Sequence, residues 1–211
     1  MTPTKQQDDS NYDNNLVSMC VEEATESLLE SPYGIHALVV YSDMIMLREF
    51  WSFYAKKSIE EKNELLLLAP FYQTIDSVRE TLSEGHKSID VQKYENEEKS
   101  LIIVDALEKY MDKDAGGFDV KALLKGIDDL AEYAENVSKK EWISFLGDSG
   151  AFLFKNQLQS LLNYESSLPS QFDINLKGIC LYHEKDFDRL SADQKKEIIN
   201  HHKIAVKILN N

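Results

Sequence analysis

The hydrophobic residues of this chain fall into short continuous runs, and each run ends at a polar residue or a proline. Apolar runs that are too dense to alternate with polar residues are typical of strands buried on both faces of a mostly parallel sheet. Five such runs occur: HALVVYSD (His36 to Asp43), ELLLLAPF (Glu64 to Phe71), SLIIVDA (Ser100 to Ala106), WISFLGDSG (Trp142 to Gly150) and ICLYHEKD (Ile179 to Asp186). One further strand is predicted at Ile204 to Ile208 and a minor one at Ser88 to Lys93.

Between the runs, apolar residues recur with the spacing of one helical face. The predicted helices are Met44 to Ile59, Thr74 to Leu82, a short segment through Tyr110, Phe118 to Asn136, Phe152 to Leu168 and about Asp193 to Asn200. Strands that alternate with helices of this length imply right-handed βαβ crossovers. The pattern therefore predicts an α/β fold, a three-layer sandwich with helices on both faces of a mostly parallel central sheet.

The N-terminal region differs from the rest of the chain. Residues 1–15 contain few sizeable apolar groups and are predicted to form a disordered tail. Residues 16–34 are predicted to form an amphipathic helix, from Leu16 to Leu29, and a linker, with the domain proper at 35–211. The apolar face of this helix either docks on the domain or pairs with a second copy or a partner. In the second case the helix lies outside the compact domain. We predict this arrangement, with a homodimer formed through the helix.

Charge and cysteine content narrow the function. The chain has 37 acidic and 23 basic residues and a formal net charge of −14, which repels phosphate backbones and anionic lipids. Cys20 and Cys180 lie far apart without a C-x-x-C motif, which indicates neither a disulfide framework nor a zinc site. No apolar run approaches the roughly 18–20 residues of a membrane span. We therefore expect a cytoplasmic protein with no nucleic-acid or membrane partner.

The candidate binding site follows from the predicted sheet. In a parallel sheet, the residues that follow the strands meet at one edge, where such folds bind ligands. The candidate ligand-binding residues at this edge are Tyr41, Asp43, Phe71, Asp105, Asp148, Tyr182 and His183. Aromatic rings with carboxylates and an imidazole suit a small, partly apolar organic molecule that is neutral or cationic. The alternative is that these side chains fill the core edge or, like Asp43, cap a helix.

Catalytic and cofactor motifs are weak. The chain has neither G-x-x-x-x-G-K-[ST] nor G-x-G-x-x-G, so Asp105 lacks the lysine and hydroxyl that a magnesium-binding carboxylate needs, and we interpret it as a relic or a helix cap. Ser149 lies in a G-D-S-G string that is one position short of a hydrolase elbow, and its histidine would be His183. His201 and His202 diverge on a helix. We predict no catalytic residue, no cofactor and no metal site.

Several residue groups occur in an order that resembles the MEDS domain, the methanogen/methylotroph sensory domain. They are the His36 to Asp43 strand, Gly117-Phe118-Asp119, Gly147-Asp148, Leu161-Leu162-Asn163-Tyr164-Glu165, Ile179-Cys180-Leu181-Tyr182-His183 and His201. The resemblance covers roughly His36 to Ile208. It implies a KaiC/RecA-like core without a phosphate loop and a role in sensing small organic molecules in signalling proteins, often beside histidine kinase or DNA-binding modules.

We therefore predict a non-catalytic small-molecule sensing module that acts through a protein partner such as a histidine kinase or a regulator. Two alternatives remain. One is an enzyme, either a residual nucleotide-binding ATPase or a hydrolase that uses Ser149 and His183. The other is a pure protein-interaction module that binds through its first helix and its acidic surface.

Overall fold

A parallel sheet forms the centre of the protein. The computed structural model describes residues 15–110 and 117–209. Within them are seven strands: β1 (Val17–Met19), β2 (His36–Tyr41), β3 (Leu65–Ala69), β4 (Leu101–Ile103), β5 (Ile143–Asp148), β6 (Leu176–His183) and β7 (Ile204–Ile208). Their order is β1-β7-β2-β6-β5-β3-β4, and every neighbouring pair is parallel. The predicted α/β fold with its mostly parallel sheet is confirmed.

Helices cover both faces of the sheet. They are α1 (Val21–Glu30), α2 (Met44–Ala55), α3 (Ile75–Glu84), α4 (Ala106–Tyr110), α5 (Val120–Tyr133), α6 (Gly150–Phe154), α7 (Leu158–Ser167), α8 (Glu184–Phe187) and α9 (Ala192–His201). Helices α1 to α3 pack into one hydrophobic cluster, and α4 to α9 contribute to a second one on the other side. We call these sides the α1–α3 face and the α4–α9 face. None of the described helices is long and apolar enough to cross a membrane.

Successive side chains along the central strands point to opposite faces of the sheet. All six residues of β2 are buried. Val39 and Tyr41 pack on the α1–α3 face, whereas Leu38 and Val40 pack on the α4–α9 face. In β6, Leu181 and Tyr182 likewise belong to opposite clusters. Residues that are adjacent at a strand end therefore lie on opposite sides of the sheet.

The N-terminal helix is shorter than predicted and belongs to the compact domain. Residues 17–19 form the edge strand β1, in which Val17 lies beside Val206 of β7, and the helix begins only at Val21. Ala24 and Leu28 of α1 are fully buried in the α1–α3 cluster. Residues 17–19 form a strand because the edge strand β7 offers unpaired backbone groups. Helix α1 docks because it buries its apolar face on its own domain.

The homodimer prediction relied on that apolar face. Because α1 uses it to cover the domain, the prediction of a helix outside the compact domain is wrong, and this apolar face is not available for a dimer. The outward face of α1 carries Glu26 and Glu30, which form ion pairs with Lys57 and Lys62. The tail predicted for residues 1–15 lies, apart from Asn15, outside the described residues.

Two internal elements also differ from prediction. The minor strand predicted at 88–93 does not form: Asp90 accepts a hydrogen bond from Lys93 N at 3.0 Å, which starts a helical turn instead. The single helix predicted at 152–168 is divided into α6 and α7. The division lies at Asn156, whose φ of 54° is left-handed and ends a helix.

The docking of α1 can be tested by truncating its core contact. Leu28→Ala should lower the free energy of unfolding by about 2–5 kcal/mol, because it removes a fully buried side chain and leaves a cavity. Urea unfolding measures the change. Leu124→Ala is the matched control, since Leu124 on α5 is 43 % exposed and should change stability little. Equal effects of the two substitutions would contradict the docked position of α1.

Candidate functional site

The carboxyl ends of β2 and β5 bring together two of the predicted site residues. Tyr41 Oη donates a hydrogen bond to Asp148 Oδ2 at 3.0 Å, and both side chains are completely buried. Gly150 N donates to the other carboxylate oxygen at 2.9 Å. Both oxygens of the Asp148 carboxyl group thus accept hydrogen bonds, which fix the group at the edge of the sheet.

Burial changes the proton affinity of this carboxyl group. It raises the pKa of Asp148 to about 7, although the hydrogen bonds from Gly150 and Tyr41 act in the opposite direction. The nearby Asp186 carboxyl adds to the increase. Asp148 therefore gains or loses its negative charge near neutral pH.

Aromatic rings lie above the carboxyl group. The Tyr72 ring is 5.5 Å from the His183 ring and 4.8 Å from the Phe71 ring, which is 5.4 Å from the Phe154 ring. Gly150 permits this approach, because a Cβ there would lie only 2.7 Å from Tyr72 and 2.9 Å from Phe71. Phe154 and Tyr72 are 64 % and 41 % exposed. We define the rim cluster as Tyr41, Phe71, Tyr72, Asp148, Phe154 and His183.

Three predicted site residues do not join the rim cluster. Tyr182 is fully buried on the α4–α9 face and donates its hydroxyl hydrogen to Glu165 Oε1, so it lies on the other side of the sheet from Tyr41. Asp43 accepts from Ile45 N and Met46 N and caps α2. Asp105, after the edge strand β4, accepts from Leu107 N at 2.8 Å and from Glu108 N at 3.2 Å. Asp43 and Asp105 are thus helix-capping residues in this fold.

The hydrolase alternative needs Ser149 beside His183. The His183 ring lies on the α1–α3 face, 5.2 Å from the ring of Tyr41. Ser149 is buried and lies beside the Tyr182 hydroxyl on the α4–α9 face. The sheet therefore separates the two side chains, and this geometry gives the serine no histidine base.

A buried polar cluster on the α4–α9 face was not predicted. It contains His36, Glu165, Cys180 and His202, whose donor atoms all lie within 4.8 Å of one another. His36 Nε2 lies 3.2 Å from Cys180 Sγ and 3.8 Å from Glu165 Oε2, and His202 Nε2 lies 3.4 Å from the same oxygen. We call this group the buried four-residue cluster.

Sequence spacing does not indicate this cluster, because its members come from distant elements. Two local features are unusual: His36 is an imidazole at the start of an apolar strand, and Glu165 is a carboxylate on the apolar side of a helix. The predicted divergence of His201 and His202 holds: their rings are inclined by 86°, and His201 Nε2 lies 2.6 Å from Leu168 O. Only His202 of the two belongs to the cluster.

A surface groove of about 460 Å³ lies between α2 and α3. Two of its polar lining groups are engaged within the protein: Arg48 Nε donates to Gln73, and Ser52 Oγ accepts from Lys87 N. The groove shares no residue with the rim cluster, and we assign no ligand to it.

Comparison with known proteins gives a family and a fold. The family described as MEDS, the methanogen/methylotroph, DcmR sensory domain, matches residues 35–203. A KaiC-like protein from the hyperthermophilic archaeon Pyrococcus horikoshii OT3 is a structural neighbour with a TM-score of 0.52 and 18 % sequence identity, over 80 % of this chain and 68 % of that one. Identity this low supports the fold alone. No curated protein matches significantly.

The buried Asp148 predicts a pH dependence of stability. Its pKa is raised from 3.8 to about 7 in the folded protein, so its contribution to stability is fully present below about pH 4 and is lost as the pH rises through 7. Asp148→Asn keeps an acceptor for Gly150 N and carries no charge. The variant should therefore gain stability over the wild type between pH 5 and pH 8.

Urea unfolding midpoints at pH 5 and pH 8 measure this difference. Asp129→Asn serves as the control, because the Asp129 carboxylate is 58 % exposed in a surface ion pair with Lys125 and should contribute little. A difference between wild type and Asp148→Asn that is the same at both pH values would contradict the raised pKa.

Proposed function

The chain belongs to the MEDS family of sensory domains, and on that premise we propose that it binds a small organic molecule and reports the binding through a protein partner. The rim cluster is the proposed binding site. The observation that carries this proposal is the buried Asp148 carboxyl group beneath half-exposed aromatic rings at the carboxyl edge of a parallel sheet. Ligands of parallel α/β sheets bind at this edge.

The chemistry of the rim favours a neutral or cationic ligand. Aromatic faces attract a cation, and a carboxylate beside them adds a charge partner. A second carboxyl group, Asp186, accepts a hydrogen bond from the Tyr72 hydroxyl at the same edge. An anionic ligand would meet both carboxyl groups and would be repelled.

The start of α2 supports a function other than nucleotide hydrolysis. In phosphate-binding folds the amides at a helix N-terminus after a strand hold the anion. Here Asp43 Oδ1 already accepts from Ile45 N at 2.9 Å and from Met46 N at 3.0 Å. The negative charge of the cap occupies the position that a phosphate would need, which agrees with a non-catalytic module.

A route from the rim to the surface supports action through a partner. The Tyr72 hydroxyl contacts Asp186 on α8, and Asp186 in turn lies 3.5 Å from Arg189. A ligand inserted beside His183 would displace Tyr72 and change this surface. We propose a histidine kinase or a regulator as the partner, and a homodimer through a surface other than α1 as the alternative.

Three probe molecules of similar shape and different charge test which ligand charge the rim cluster prefers. Tetramethylammonium, tert-butanol and pivalate have similar size and carry positive, neutral and negative charge. We expect the first two to bind and pivalate not to bind, by calorimetry at pH 8. Because the cation needs ionised Asp148, its affinity should rise with pH through about 7, and Asp148→Asn should remove this rise.

A matched pair of tyrosine variants locates the site. Tyr72→Ala should weaken binding by roughly 3- to 30-fold, the range expected for one lost cation–π contact. Tyr133→Ala on α5 is the control and should have no effect. Binding of pivalate with the affinity of the cation, or equal behaviour of the two tyrosine variants, would contradict the proposed site.

The second test concerns nucleotides. We expect no measurable ATP or Mg-ATP binding at millimolar concentration. Asp43 occupies the N-terminus of α2, and the turn between β2 and α2 contains no lysine. Isothermal calorimetry measures this, and Asp105→Ala should leave the result unchanged. Micromolar ATP affinity that disappears in Asp105→Ala would favour the ATPase alternative instead.

A further inference from the structure

Four separate elements place the buried four-residue cluster at the centre of the protein. His36 begins β2, Cys180 lies within β6, and Glu165 lies on α7. His202 directly follows α9. The side chains of both histidines are 0 % exposed and that of Glu165 is 3 % exposed. A polar group in such a position needs a partner, because an unsatisfied one costs the free energy of its lost hydration.

The hydrogen bonds of the cluster are incomplete. His202 Nδ1 lies 2.7 Å from Ile198 O, and since a carbonyl only accepts, this nitrogen carries the hydrogen. The other nitrogen, His202 Nε2, is aimed at Glu165 Oε2 and forms no hydrogen bond, nor does that oxygen. This nitrogen and this oxygen lie 3.4 Å apart, so either a proton or a metal ion must lie between them.

We propose that the buried four-residue cluster binds one divalent transition-metal ion. The ligand atoms are His36 Nε2, His202 Nε2, Cys180 Sγ and an oxygen of Glu165, and this set of atoms favours zinc. Imidazole and thiolate are the ligands that zinc prefers. This inference is independent of the proposed function of the rim cluster.

The distances fit a tetrahedral ion. Zinc bonds of about 2.0–2.1 Å to nitrogen or oxygen and about 2.3 Å to sulfur place tetrahedral ligands roughly 3.4–3.6 Å apart. Three of the six separations in the cluster are 3.2, 3.8 and 3.4 Å, on both sides of this range, and all six lie within 4.8 Å. Bound zinc would draw the four side chains closer together.

The charges also balance. A divalent ion would displace the proton of the Cys180 thiol, and the resulting thiolate and the Glu165 carboxylate would neutralise its two positive charges in the apolar interior. His36 Nε2 already lies against Cys180 Sγ, and an ion bound between them would replace this hydrogen bond.

Further contacts orient the ligands as they do in metal proteins. Metal-bound histidines usually donate their other N–H to a carbonyl or carboxylate, as His202 does to Ile198 O. The Tyr182 hydroxyl donates to Glu165 Oε1 and leaves Oε2 for the ion.

Cobalt(II) is the probe, because a tetrahedral cobalt–thiolate site absorbs in the visible and adds a sulfur-to-metal charge-transfer band in the near ultraviolet. Full-length protein is stripped with a chelator and titrated with cobalt and then zinc. We expect one ion per chain, both absorption features, and a rise in Tm of roughly 8–16 °C at a thousandfold excess of zinc over Kd.

Variants assign the ligands. Cys180→Ser should lose the charge-transfer band, and Tyr182→Phe should lower zinc affinity by roughly 10- to 100-fold. The controls Cys20→Ser and His201→Gln exchange the other cysteine and the adjacent histidine, and should bind as the wild type does. Loss of the band in Cys20→Ser, or its survival in Cys180→Ser, would overturn the assignment.

A shared proton between His202 and Glu165 is the competing explanation. It predicts that folded wild-type protein binds no stoichiometric cobalt or zinc, and that result would overturn the proposal. If Cys180→Ser does not fold, X-ray absorption of the zinc-loaded wild type decides. One sulfur and three nitrogen or oxygen ligands would support the site, and a spectrum without sulfur would overturn it.

Discussion

Enclosure of the central strands on both faces is the constraint on which this structure depends. The polar side chains from Leu176 to Tyr182 in β6 must find partners inside the protein, because water reaches neither face there. On the α1–α3 face, Lys177 Nζ donates to Leu29 O at 2.6 Å and lies 3.3 Å from Glu64 Oε1. Ser144 Oγ donates to the same carboxylate, and Tyr54 bonds to Ser144. A buried pair of this kind is strongly destabilised when one partner is removed, so these contacts fix how α1, β3 and β6 assemble.

The same constraint explains how much of the fold the sequence predicts. A strand enclosed on both faces is apolar throughout, which is why β2, β3 and β5 stand out as runs such as HALVVY and LLLLA. Strand β1 does not stand out, because it has three residues and its partner β7 lies almost the whole chain away. Its Val17 and Met19 also fit the spacing of the following helix. Long-range pairing, rather than local preference, decided that segment.

The candidate site was predictable to a similar depth. The rule that parallel strands end at one edge is sufficient to bring Tyr41 and Asp148 together, and they do meet. It does not say on which face each side chain lies, so it grouped Tyr182 with Tyr41. Strand alternation separates them, since Tyr182 and His183 are adjacent and point to opposite sides. The buried four-residue cluster needs β2, β6, α7 and α9 in place at once, and no local pattern encodes that.

The two polar centres differ in their access to solvent, and this difference fits different kinds of occupant. Two members of the rim cluster, Tyr72 and Phe154, are 41 % and 64 % exposed, so this cluster meets solvent directly. The buried four-residue cluster lies beneath α7 and α9, and all four of its residues are buried. A ligand whose concentration varies with time requires a site that meets solvent, as the rim cluster does. A permanently bound ion would instead require an enclosed site such as the buried four-residue cluster. Strand β6 contributes to both clusters, with His183 at the rim and Cys180 and Tyr182 behind it.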